Sequence, residues 1–120
     1  MDWTFRSDQP IYTQLVEQMT QAILSGAFAP GERLPAVRDL AMQAGVNPNT
    51  MQRAMAELEQ RGLIFAQRTS GRFVTDRADV IGGAKATLAR QRVAEFAASM
   101  SRMGYNKEQT LQLLQEEEEF

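Results

Sequence analysis

The sequence predicts a mainly α-helical chain with one small β-hairpin, a winged helix-turn-helix followed by a two-helix appendage. Three observations predict it. Three helical stretches between residues 11 and 62 each end on a glycine, at Gly26, Gly45 and Gly62. The second and third are separated only by a short turn around Gly45, the spacing of a helix-turn-helix. Two short β-prone runs then flank Thr69-Ser70-Gly71.

In the first stretch Ile11, Leu15, Met19, Ala22 and Ile23 recur at three- and four-residue steps after Pro10, giving an amphipathic helix. The turn Ala29-Pro30-Gly31 follows. Proline at a first helical position then opens a short second helix, from about Pro35 to Gln43, burying Val37, Leu40 and Ala41. Asn47 caps the third helix, with Pro48 in its first turn, and the helix runs to about Arg61. Leu63 to Arg68 and Arg72 to Thr75 form the hairpin strands. Asp79 to Ala84 holds Gly82-Gly83 and no strong periodicity, which marks a boundary between a winged domain (1–77) and a C-terminal helical region (78–120). A fourth helix is expected from about Ala84 to Met103, and a fifth after the cap Asn106.

The composition narrows the function. No apolar run approaches the roughly 20 residues that cross a bilayer, and Met1-Asp2-Trp3-Thr4 lacks the character of a secretory signal. With no Cys there is no disulfide framework, which fits a cytoplasmic protein. With no His, the commonest general base and metal ligand is missing, so enzyme chemistry, a metal site and a cofactor are not indicated. Glu116 to Glu119 lacks the alternating ligands and glycine turn of a calcium loop and reads as a solvated helix end.

Net charge alone does not announce a nucleic-acid binder. Residues 1–77 hold eight basic side chains against eight acids, yet all eight bases are Arg, whose planar fork matches phosphates and base edges. At about 100° per residue, Met51, Ala54, Met55 and Leu58 of the third helix fall on one face. Asn49, Arg53, Ala56 and Gln60 lie opposite, flanked by Gln52. The N-terminal end of such a helix enters the major groove, where Asn and Gln suit adenine and Arg suits guanine. Asn49, Gln52 and Arg53 are therefore the candidate reading residues, with Thr50 beside them for a phosphate or a cap. Arg38 on the second helix, which crosses the DNA backbone in such motifs, is a candidate phosphate contact. Arg68 and Arg72 flank the wing tip, where Ser70 and Gly71 join the candidate set. Met19, Met51 and Met55 are assigned to the core.

Four ordered segments carry a family resemblance. Pro10-Ile11-Tyr12-Thr13-Gln14-Leu15, Pro30 through Arg38, Val46-Asn47-Pro48-Asn49-Thr50 and Glu57 through Ile64 together resemble the GntR family, over residues 9 to 75. The Val-Asn-Pro-Asn-Thr turn and the short tail resemble its YtrA subfamily. The resemblance implies a winged helix-turn-helix that binds a palindromic operator as a homodimer, acting as a repressor. It places DNA contacts at Arg38, at Asn49 to Arg53 and at the wing glycine, here Gly71. Family wings usually read Arg-Gly-x-Gly, whereas this one reads Arg68-Thr69-Ser70-Gly71. Only about 40 residues follow the wing, too few to enclose a sizeable ligand cavity, and no effector is indicated. In the YtrA group such a tail is a helix pair used for dimerisation, for which Leu88, Val93, Phe96, Met100, Leu111 and Leu114 are the candidate residues.

A second reading is a winged helix that binds another protein and no DNA, supported by the neutral charge of residues 1–77. The slope of affinity against salt separates the two, because DNA binding releases counterions.

Overall fold

A computed structural model describes residues 1–120. The order is α1 (Ile11–Leu24), α2 (Val37–Ala44), α3 (Pro48–Gln60), β1 (Ile64–Gln67), β2 (Gly71–Val74), α4 (Ala78–Arg102) and α5 (Lys107–Glu116). The chain divides into two compact units, Met1–Ala84 and Lys85–Phe120.

In the first unit α1 and α2 both pack on α3, which also meets β1. Leu15, Met19 and Ile23 of α1 close against Leu40 of α2 and Met51, Met55 and Leu58 of α3. Leu63, Ile64 and Val74 bring the hairpin into the same core. The three methionines assigned to the core have no solvent exposure. Their unbranched chains fill the irregular gaps where three helices and a hairpin meet. The turn between α2 and α3 needs a left-handed residue, and Gly45 supplies it at φ 71° as the C-cap of α2. Asn47 then caps α3, its side chain accepting from the Asn49 N–H at 2.8 Å.

Two features depart from the sequence expectations, and a third goes beyond them. The second helix begins at Val37, with Pro35 outside it, because the segment before it runs beside β2, bridged at Arg33 and Phe73. The Val74 N–H donates to the Glu32 carbonyl (2.9 Å), the Leu34 N–H to the Arg72 carbonyl (2.9 Å) and the Gly31 N–H to the Val74 carbonyl (3.0 Å). The hairpin thus has a third, short partner in the α1–α2 connection. Second, Asp79 to Ala84 is helical, since α4 begins at Ala78 and runs through Gly82-Gly83. Two helical glycines cost about 1 kcal/mol each against alanine. Asp79 in the first turn and the alanine-rich stretch that follows offset that cost. Third, the N-terminal segment is pinned to α1. Gln14, almost fully buried, donates from Nε2 to the carbonyls of Arg6 (2.8 Å) and Gln9 (3.0 Å) and accepts from the Arg6 N–H at 2.7 Å. Gln18 brackets Thr4 in the same way. Trp3 and Phe5, their rings stacked 6.0 Å apart, are thereby laid on the core.

In the wing, Ile64 pairs with Val74, Phe65 with Phe73, Ala66 with Arg72 and Gln67 with Gly71. The Ser70 N–H closes the tip on the Gln67 carbonyl at 3.2 Å. Gly71 lies at φ 98°, and a β-carbon there would sit 3.3 Å from Arg33 Nε, so the Arg33 side chain lies along the glycine.

In Lys85–Phe120 no residue is buried. Val93, Phe96, Met103, Tyr105, Leu111 and Leu113 are exposed, while Leu88, Met100 and Leu114 are half-buried. Asn106 caps α5 in a full capping box with Gln109.

Two stability predictions follow from these contacts. Gln14→Leu removes the amide that pairs with Arg6 and is expected to cost about 1–2 kcal/mol. It also frees the N-terminal segment, so the emission of Trp3, the only tryptophan, should shift to the red below the unfolding transition. An unshifted spectrum would show that the arm is held by its rings alone. Gly71→Ala forces a left-handed backbone on a residue with a β-carbon and should lower stability by about 1–2 kcal/mol. Urea unfolding reads this as a lower midpoint at unchanged slope.

Candidate nucleic-acid interface

Rotation of α3 about its own axis is set by its buried face: Met51, Ala54, Met55 and Leu58 all have no exposure. The opposite face therefore points outward, and Asn49, Gln52, Arg53 and Ala56 are exposed as the periodicity predicts. Thr50 is half-buried at the edge of that face. The Asn49 side chain is free of the cap, which uses only its backbone N–H.

Gln52 lines a cleft of about 310 Å³ together with Arg33, the Leu34–Val37 segment that leads into α2, Gly71 and Arg72. One groove thus brings together the reading face of α3, the start of α2 and the root of the wing. Arg38 stands exposed one residue further along α2, and Arg68 is exposed at the wing tip beside Thr69 and Ser70.

Ion pairing divides the eight arginines of residues 1–77 into two sets. Arg6 is paired with Asp8 (2.6 Å), Arg61 with Glu57 (3.3 Å), Arg72 with Glu59, and Arg77 with Asp79 (2.8 Å). Arg33, Arg38, Arg53 and Arg68 have no carboxylate partner, and they lie on the α1–α2 connection, α2, α3 and the wing tip. Glu57 and Glu59, the two carboxylates of α3, are both engaged by Arg61 and Arg72, so neither reaches Arg53. Arg53 instead lies over the ring of Tyr12, its guanidinium carbon 4.5 Å from the centroid.

Arg72, expected at the interface as a free cation, has a structural duty as well. It is half-buried and its Nε bonds Glu59, tying the wing to α3 across 13 residues of sequence. Its flank still opens on the cleft. Sequence reasoning missed Arg33, which lies against the wing glycine and forms no ion pair. Its signal is weak, because Glu32-Arg33 reads as an ordinary charged turn until β2 is known to pair beside it. Among His, Cys, Asp and Glu there is no grouping that could hold a metal ion. No helix is long and apolar enough to cross a membrane.

Comparison with known proteins agrees with this geometry. The family model described as bacterial regulatory proteins, gntR family, matches residues 11–74. The chain is 36% identical over 112 residues to the HTH-type transcriptional regulator YhcF of Bacillus subtilis, covering 93% of each. It is 42% identical over 73 residues to the HTH-type transcriptional repressor YtrA of that species, covering 61% of this chain and 56% of YtrA. That likeness accords with the YtrA subfamily. Among solved structures, a GntR family transcriptional regulator from Listeria monocytogenes matches with a TM-score of 0.89 at 35% identity, covering 95% of this chain and all of that one. The DNA-binding domain of AraR, solved in complex with operator ORX1, matches with a TM-score of 0.57 at 26% identity, over 62% of this chain and 96% of that one. Relatives of this kind are named as transcriptional regulators and not as enzymes. On its fold, on the exposed polar face of α3 and on these matches, the chain belongs to the gntR family of bacterial regulatory proteins.

Proposed function

We propose that this regulator is a dimeric repressor that reads an inverted-repeat operator in double-stranded DNA. The observation that carries the reading is the cleft in which Gln52 of α3, the start of α2 and the wing root face one groove, with four arginines that form no ion pair on α2, α3, the wing and the strand-like segment beside it. Asn49, Gln52 and Arg53 read base edges in the major groove, with Thr50 at their side. Arg38 and Arg33 take phosphates, as does the wing through Arg68, Ser70, Gly71 and the flank of Arg72. The operator complex of AraR and the repressor named YtrA support this assignment. No small-molecule effector is needed for it, and a protein that binds the chromosome of a bacterium works in the cytoplasm.

Dimerisation rests on the C-terminal unit. Leu88, Val93, Phe96, Met100, Leu111 and Leu114 are all at least partly exposed there, and Val93 is 66% exposed. At about 25 cal/mol per Å2, apolar surface of this kind is stabilised by covering, and a two-fold mate covers it with the same residues from both chains. Residues 1–77 and 78–120 then divide the labour between reading and pairing.

An operator recovered from a random DNA pool is the reagent that tests the reading. Arg53→Ala is expected to cost about 1–3 kcal/mol on that operator and to relax preference at one base pair. Arg38→Ala should weaken all sequences alike and reduce the slope of log K against log salt by about 1. A wild-type slope near zero, with no motif recovered, would favour the protein-binding alternative. For the dimer, Phe96→Glu is expected to convert a light-scattering mass of two chains to that of one at micromolar concentration. Half-site binding should persist while full-operator affinity falls. A wild-type protein that is monomeric on the operator would remove the dimer from the reading.

A further inference from the structure

Resting on the assignment of Arg53 to base reading, the geometry points to Tyr12 of α1 as a positioning residue that pre-orders the Arg53 guanidinium for a guanine while leaving its hydrogen-bonding edge unused. The guanidinium carbon stands 4.5 Å from the centre of the Tyr12 ring, within the range of a cation–π contact. Tyr12 itself is half-buried and packed against the core, so its ring is a fixed surface.

The chemistry of that surface matters. An arginine presents five N–H donors in its plane and a π face above and below it. A carboxylate partner would occupy the edge, and the pair would have to break before a base could be read. A ring face engages the π face and leaves the edge unspent, so stacking on Tyr12 and a bidentate contact to guanine O6 and N7 are compatible at the same moment. The surroundings keep the carboxylates away. Glu57 lies at the i+4 position from Arg53, where an ion pair would normally form, but it is engaged by Arg61 at 3.3 Å. Glu59 is engaged by Arg72. Glu57, the α3 carboxylate in register with Arg53, is thus held elsewhere, as is Glu59 six residues on, and the neutral ring of Tyr12 takes the place of an acid.

A direct test keeps the shape of the ring and changes only its electrostatics. Tyr12→Phe and a series with fluorinated phenylalanines in place of Tyr12, up to the pentafluoro ring, are measured on two duplexes. One is the operator selected by the wild-type protein, and the other carries a substitution of the guanine whose preference Arg53→Ala removes. Tyr12→Phe, which retains the negative ring face, should retain the preference. Progressive fluorination should lower it by about two- to fivefold. Affinity for a mixed-sequence duplex and the slope against salt should stay at wild-type values, which loss of folding or of phosphate contacts would not allow. A preference that is flat across the series, or that rises with fluorination because the ring holds Arg53 away from the base, overturns the inference. If Arg53→Ala alters no base preference at all, the base-reading assignment itself fails. If it does and the fluorinated series is flat, only the role of Tyr12 fails.

Discussion

The four unexposed side chains on α3 are the constraint from which the interface follows. Met51, Ala54, Met55 and Leu58 are locked between α1, α2 and the hairpin, so α3 cannot rotate about its axis without opening the core. A helix locked on one side has its opposite side aimed by default. Asn49, Gln52 and Arg53 therefore need no contacts of their own to be presented outward. The hydrophobic effect that stabilises the unit also sets the direction in which it reads. The same argument explains why the short α2 suffices: Leu40 and Ala41 are its only buried residues, and they hold it against α3.

Electrostatics solves a different problem, that of making a basic surface where residues 1–77 hold as many acids as bases. The acids do not neutralise at random. Those of α3 take Arg61 and Arg72, while Asp8 and Asp79 take arginines two residues away in sequence. Outside any ion pair are Arg33, Arg38, Arg53 and Arg68, on the elements that border the cleft or lead to the wing tip, and, among the acids of residues 1–77, Asp2, Glu17, Glu32, Asp39 and Asp76. Exposed ion pairs such as Arg6–Asp8 contribute little to stability. Their effect here is on where charge is left over, a quantity that the formal total of −2 does not report.

Much of this was legible in the sequence, and most of the failures share a cause. The faces of α3, the capped turn at Gly45 and the hairpin are local or periodic, so spacing reveals them. The Gln14 and Gln18 brackets are not, because an amide that bonds the backbone of an extended segment leaves no period. Arg33 beside Gly71, Arg72 on Glu59 and Arg53 on Tyr12 each join elements distant in sequence, and only packing brings them together. The start of α4 failed for the opposite reason. Gly82-Gly83 is a strong local signal for a break, and the helix formers after it outweigh that signal.

The wing shows how such distant ties free a site for change. Its root is held three times, by Glu59 on Arg72, by the Leu34 N–H on the Arg72 carbonyl, and by Arg33 along Gly71. Within the tip only Gly71 takes a positive φ, and no non-glycine residue of the chain does. The backbone therefore makes no demand for glycine at Thr69, where the family pattern has one. With the root fixed and the tip unstrained, the side chains at Arg68, Thr69 and Ser70 carry no structural duty. Their identity is open to selection by whatever the wing touches. Thr69 adds a hydroxyl able to donate to a phosphate, where the usual glycine offers only its backbone, beside the hydroxyl of Ser70.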